Sequence, residues 1–172
     1  SHRYQSSVGQ GHVFLAHRIN PTGCDVGSFK LDIQIDRDAG TVFGVLSDVR
    51  VMPLWYEAVK EVVPLTPAQT GLGARYAIKR MLPGGPVENE VAVTEYEQDR
   101  VFTIESMHGP TPFRYRYALE PAAQQTRLVL DGRITGEGLP GPLAHIDALA
   151  TPLFKRGMAE NLRALRRLIE ES

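Results

Sequence analysis

The chain has 172 residues, with 19 Lys and Arg against 20 Asp and Glu and a formal net charge of −1. That length suits one domain with a sizeable core, and 42% hydrophobic with 23% charged residues argues against global disorder and collagen-like repetition. The near-zero charge leaves no basic footprint, so nucleic acid is not an expected partner. The single cysteine, Cys24, forms no intrachain disulfide, and no apolar run approaches the roughly 18 residues of a membrane span. A soluble, cytoplasmic chain without integral membrane association is expected.

Residues 1–28 mix Gly, Ser, Asn and Pro without a sustained period and lack the charged-then-apolar pattern of a signal peptide. They read as a tail, flexible or vector-derived, ahead of a domain over 29–172. The alternation from Phe29 to Asp36 predicts a strand with one buried face. Asp38 then caps a helix whose apolar side holds Val42, Phe43, Val45 and Leu46, and Pro53 opens a second short helical turn over Leu54 to Ala58. Six strands follow at about 59–66, 73–82, 86–97, 100–108, 112–121 and 125–136. Pro83-Gly84-Gly85-Pro86, Gln98-Asp99 and Ala123-Gln124 supply turns between them. From Pro142 the period changes. Leu143, Ile146, Ala150, Leu153, Phe154, Met158, Leu162, Leu165 and Leu168 recur at steps of three and four, marking a long amphipathic helix with a basic outer face. Seven strands need a cover for their apolar face, and this helix is the natural one. The expected fold is α+β, a curved antiparallel sheet around a C-terminal helix. One helix cannot fill such a sheet, so an internal apolar cavity is expected too.

This order resembles the START-related helix-grip superfamily, which includes polyketide cyclases, coenzyme Q-binding proteins and lipid-transfer proteins. Three segments carry the resemblance: Asp36 to Val49, the tryptophan-bearing Met52-Pro53-Leu54-Trp55-Tyr56, and the glycine-led Gly71-Leu72-Gly73-Ala74-Arg75-Tyr76. The resemblance implies a helix-grip fold, with seven strands wrapped around the last helix and two short helices after the first strand. It leaves function open, because family members divide between enzymes and ligand carriers.

Alternation assigns faces. Tyr76, Ile78, Arg80 and Leu82 point inward, as do Val87, Asn89, Val91 and Val93. Phe102, Ile104, Ser106 and His108 form the next inner row, followed by Phe113, Tyr115, Tyr117 and Leu119, and by Leu128, Leu130, Gly132 and Ile134. Arg114, Arg116, Arg127, Asp131 and Arg133 fall outside, as weak solvated pairs. The inner wall is thus apolar with few polar interruptions, which suits a hydrophobic ligand held by directional contacts. Candidate ligand-binding residues are Trp55, Tyr56, Tyr76, Ile78, Asn89, Val91, Ile104, Ser106, Tyr115, Tyr117, Phe154 and Met158, with Met52 near the same opening. Arg80 either binds a ligand carboxylate, ketone or enolate, or bends to solvent or a nearby carboxylate. His108 is either a general acid or base or a structural residue at the mouth before Gly109-Pro110.

No cofactor is expected. Gly71-Leu72-Gly73 lacks a third glycine and precedes a strand, no GxSxG occurs, and His12 and His17 have no carboxylate pattern to complete a metal site. Two functions compete. One is binding of a hydrophobic small molecule (lipid, quinone or polyketide-like) in the cavity. The other is an aromatase/cyclase-type enzyme catalysing aldol cyclisation and dehydration, in which Arg80 stabilises the oxyanion and Tyr76, Ser106 or His108 relays protons. A partner-binding role, coenzyme Q-linked or ribosome-associated, is kept open by the basic helix face. The sequence assigns no oligomeric state.

Overall fold

A computed structural model describes residues 27–82, 84–134 and 147–172. Seven strands form one antiparallel sheet: β1 (Gly27–Ile35), β2 (Val59–Pro64), β3 (Arg75–Leu82), β4 (Gly85–Glu97), β5 (Val101–His108), β6 (Phe113–Ala122) and β7 (Gln125–Ile134). Their spatial order is β1-β7-β6-β5-β4-β3-β2. Five successive hairpins from β2 to β7 make the sheet, and β1 joins it through β7, from Gly27 opposite Ile134 to Ile35 opposite Thr126. This is the expected helix-grip architecture, a curved sheet with a C-terminal helix and two short helices after β1.

The period-2 alternation forms these strands because one face lies against the core: Phe29, Ile33 and Ile35 of β1 are buried, as are Leu128, Leu130 and Ile134 of β7. Helix α1 (Ala39–Leu46) starts where Asp38 accepts hydrogen bonds from Thr41 N at 3.1 Å and Thr41 Oγ1 at 2.7 Å. It buries Val42, Phe43 and Leu46. The second short helix differs from expectation. It is a 3₁₀ turn over Val49–Leu54, with Asp48 as its cap and Pro53 inside it, and Trp55 ends it. The Asp48 carboxylate accepts from Arg50 N, so the turn begins four residues before the proline that was expected to open it.

Strand β3 begins at Arg75, two residues later than the pattern implied, because Gly71 and Gly73 adopt φ of 97° and 82° in the preceding loop. The expected hairpins at Gln98-Asp99 and Ala123-Gln124 are present, with Asp99 and Ala123 in the left-handed region. Of the turn between β3 and β4, Pro83 lies outside the described residues.

Helix α2 (Asp147–Glu170) supplies the cover. Met158, Leu162, Leu165 and Ile169 are its buried stripe. Its C-terminal end is fixed to the β1–α1 junction, where Arg37 Nη2 donates to the carbonyls of Glu170 and Ser172 at 2.9 and 3.0 Å and Asp36 N donates to Glu170 Oε1. The expected helix start at Pro142, with Leu143 and Ile146, lies outside the described residues, as do residues 1–26 with His12, His17 and Cys24. No helix among the described residues is long and apolar enough to cross a membrane.

Candidate functional site

Arg80 anchors the site. It sits on β3 opposite Val87 of β4 and Val59 of β2, on the inner face with Tyr76 and Ile78. Only 2% of it is exposed, and among the described residues no carboxylate pairs with it. Its partners are neutral. Nε and Nη2 donate to Asn89 Oδ1 at 3.1 and 2.7 Å, and Nη2 also reaches the carbonyls of Pro110 and Thr111 and the Thr111 hydroxyl. The guanidinium lies 4.9 Å from the centre of the Phe113 ring, a cation–π geometry. Asn89 in turn donates from Nδ2 to Ser106 Oγ at 3.1 Å and to the Pro110 carbonyl at 2.7 Å. Burial pulls the Arg80 pKa down, opposed by the Tyr56 and Tyr115 phenols.

Aromatic rings extend from this cation. Phe113 stacks on Tyr115 at 4.8 Å, and Tyr115 shares a hydroxyl–hydroxyl hydrogen bond of 3.1 Å with Tyr56. Trp55 lies 5.9 Å from Tyr56 and meets Tyr117 edge-on. Burial, foremost, pushes up the pKa of Tyr56, Tyr115 and Tyr117. The phenols therefore keep their protons and offer hydrogen-bond donors near a cation.

The structure thus joins Arg80, Asn89 and Ser106 by hydrogen bonds and Tyr56 to Tyr115 by another, the two groups meeting through the Phe113 ring, with Trp55 and Tyr117 beside them. Ile78, Val91 and Ile104 are buried apolar residues of the same inner face. Met158 is buried on α2, its sulfur accepting from Asn161 Nδ2, and Phe154 is half-buried against the core. Tyr76 is buried too, but its hydroxyl donates to the Gln69 carbonyl in the β2–β3 loop.

His108 does not join the cluster. It was expected inward and is exposed. The cause is a register shift between β4 and β5: Val91 faces Ser106, yet its neighbour Glu90 faces His108, so Met107 is an extra residue. His108 therefore shares a pair position with Glu90, whose carboxylate is bonded to Arg75 at 2.6 Å. A second shift, between Val93 and Glu95, turns Tyr96 towards Phe43 and leaves Glu95 beside Arg114 and Arg116.

Two polar residues of the interior escaped alternation. Thr111, almost wholly buried with φ of 49°, meets Arg80 from the β5–β6 loop; a β-branched residue in that region is unusual and is held here by its bonds. Asn161 sits within the buried stripe of α2 and accepts from Glu57 N at 3.2 Å. A polar residue three positions from Met158, inside an apolar stripe, was the signal for it. Among the described residues no three His, Cys, Asp or Glu side chains gather as metal ligands.

The family model described as "Polyketide cyclase / dehydrase and lipid transport" matches residues 27–170. No curated protein sequence matches. Among solved structures, a START superfamily protein from Mycobacterium smegmatis superposes with a TM-score of 0.69 at 16% identity, covering 84% of this chain and 97% of its own. The Zhui aromatase/cyclase from Streptomyces sp. R1128 gives 0.67 at 15% identity, covering 85% and 94%. Norcoclaurine synthase from Thalictrum flavum gives 0.64 at 13% identity, covering 99% and 100%. At these identities the likeness is one of fold.

Proposed function

The chain belongs to the polyketide cyclase / dehydrase and lipid transport family, and on that premise we propose that residues 29–172 form a domain that binds a hydrophobic small molecule through an oxygen group held at Arg80. The ligand is lipid-, quinone- or polyketide-like. It is carried without being changed, and its contacts come from Trp55, Tyr56, Asn89, Ser106, Tyr115, Tyr117 and Met158. One observation carries this reading: a guanidinium with 2% exposure whose described partners are all neutral. A buried ion is costly unless a counter-charge or strong dipoles face it. A ligand carboxylate or enolate supplies the missing charge, and the aromatic rings beside it supply apolar contact.

The enzyme reading has its own support. The Tyr56–Tyr115 pair lies close enough to Arg80 to sense its charge, and protonated phenols beside a guanidinium would stabilise an enolate oxygen during aldol closure. That chemistry also needs a base to take a carbon-bound proton. The buried polar side chains among the described residues are Ser47, Arg80, Asn89, Thr103, Thr111, Thr126 and Asn161, with no carboxylate or imidazole among them. Binding therefore leads.

The test is a panel of fatty acids, quinones and aromatic acids screened by native mass spectrometry and thermal shift, on the wild type and on Arg80→Met. Arg80→Met is expected to weaken carboxylate ligands by roughly tenfold or more, the worth of a charged hydrogen bond. A panel without binders, or equal binding by Arg80→Met, refutes the reading. Turnover of a poly-β-ketone substrate that is lost in Arg80→Ala would instead favour the cyclase.

A further inference from the structure

Among the described residues the buried polar side-chain atoms around Arg80 have partners, with two exceptions. Trp55 Nε1 and Tyr117 Oη have none, although the two side chains are 3% and 0% exposed. They are neighbours, their rings meeting at 85° with centroids 6.4 Å apart. Folded proteins rarely leave such groups unpaired, and each case calls for an explanation.

The chemistry of the two atoms narrows it. An indole N–H only donates, and a protonated phenol beside another donor is free to donate as well. Because the two rings meet edge to face, one acceptor with two lone pairs can serve both donors, and a carbonyl oxygen is such a group. The surroundings are aromatic and apolar, so the rest of that molecule is apolar too. We propose that the interior ligand carries two oxygen functions: an anionic group at Arg80 and a ketone-type carbonyl taken by Trp55 Nε1 and Tyr117 Oη. This rests on the reading of the interior as a ligand site and adds a second subsite to it. Water is the other small acceptor, and the unliganded protein distinguishes it.

Two acids of the same shape test the subsite: 9H-fluorene-2-carboxylic acid and its 9-oxo counterpart, which differ only by the ketone. Both are titrated calorimetrically into the full chain, Tyr117→Phe, Trp55→Phe and Arg80→Met. The wild type is expected to prefer the oxo acid by roughly tenfold. Tyr117→Phe and Trp55→Phe are expected to bring that preference to within about twofold, the ratio of the two affinities being the readout whatever ring contact either variant costs both acids. Without ligand, Tyr117→Phe is expected to melt at or above the wild-type temperature, since the deleted hydroxyl has no partner. Equal affinity of the wild type for the two acids overturns the subsite, as does a preference that survives in Tyr117→Phe. A lowered melting temperature of unliganded Tyr117→Phe also overturns it, because water then already serves the hydroxyl. If the plain acid binds and is weakened in Arg80→Met while the preference is absent, the subsite alone falls. If neither acid binds, the ligand-site reading falls and the subsite with it.

Discussion

Gly132 of β7 stands directly opposite Phe29 of β1, and a methyl group there would meet the Phe29 ring at 2.3, 2.6 and 2.8 Å. Ordinary contact begins about 1 Å further out, so Gly132→Ala forces the ring to retreat. Phe29 is buried and packs against Tyr115 at 6.3 Å, which leaves little room for retreat. Overpacking of this kind costs about 1–3 kcal/mol. Against it stands a gain of about 0.4–1 kcal/mol, because alanine has fewer unfolded conformations to lose. The net expectation is a loss of about 1–2 kcal/mol, read as a shift of the urea midpoint at constant slope. Phe29→Ala alone should cost about 3–5 kcal/mol through the cavity it leaves. In that background the added methyl enters the vacated space, so Gly132→Ala should become neutral or stabilising. The double-mutant cycle should therefore return a favourable coupling of about 1.5 kcal/mol or more. Equal cost of Gly132→Ala with and without the Phe29 ring would refute the argument that the glycine exists to admit that ring.

Alkaline titration tests the buried phenols: Tyr56, Tyr115 and Tyr117 have raised folded-state pKa values, so the folded state holds protons that the unfolded chain releases. Stability is then fully present below the unfolded tyrosine pKa of about 10 and falls as pH rises past it, by up to about 1.4 kcal/mol per pH unit for each phenol; phenolate absorbance of these groups appearing at pH 10 before unfolding would contradict this. Gly109→Ala should be among the most damaging single changes, about 3 kcal/mol or more. Its Cβ would lie 2.5 Å from the Glu88 carbonyl, at a backbone φ of 112° that alanine disfavours. A melting temperature within a few degrees of wild type refutes it. Asn161→Leu should cost about 1–3 kcal/mol in denaturant midpoint, because it strands Glu57 N without its acceptor, and a neutral effect would show that water serves that amide.

What the sequence made legible follows from what alternation records. A strand with one buried face writes its orientation into every second residue, so the inward placement of Arg80, Asn89 and Tyr115 was readable from their apolar neighbours. An inserted residue leaves no mark in composition, however. Met107 looks like any strand residue, yet it turns His108 from the inner row to the exposed position opposite Glu90. The partners of Arg80 were hidden for a different reason. Two are carbonyls of Pro110 and Thr111, and any residue type carries a carbonyl. One negative feature was legible all the same: no Asp or Glu was assigned to the inner rows of β3 to β7. The expectation nevertheless left solvent or a nearby carboxylate open to Arg80, and among the described residues the structure gives it neither: it is buried on neutral dipoles. The dipoles hold it through Asn89 and the β5–β6 loop. Nε and Nη2 make all the described hydrogen bonds of this guanidinium, so an incoming anion would either meet the Nη1 hydrogens or compete with the loop carbonyls for those of Nη2.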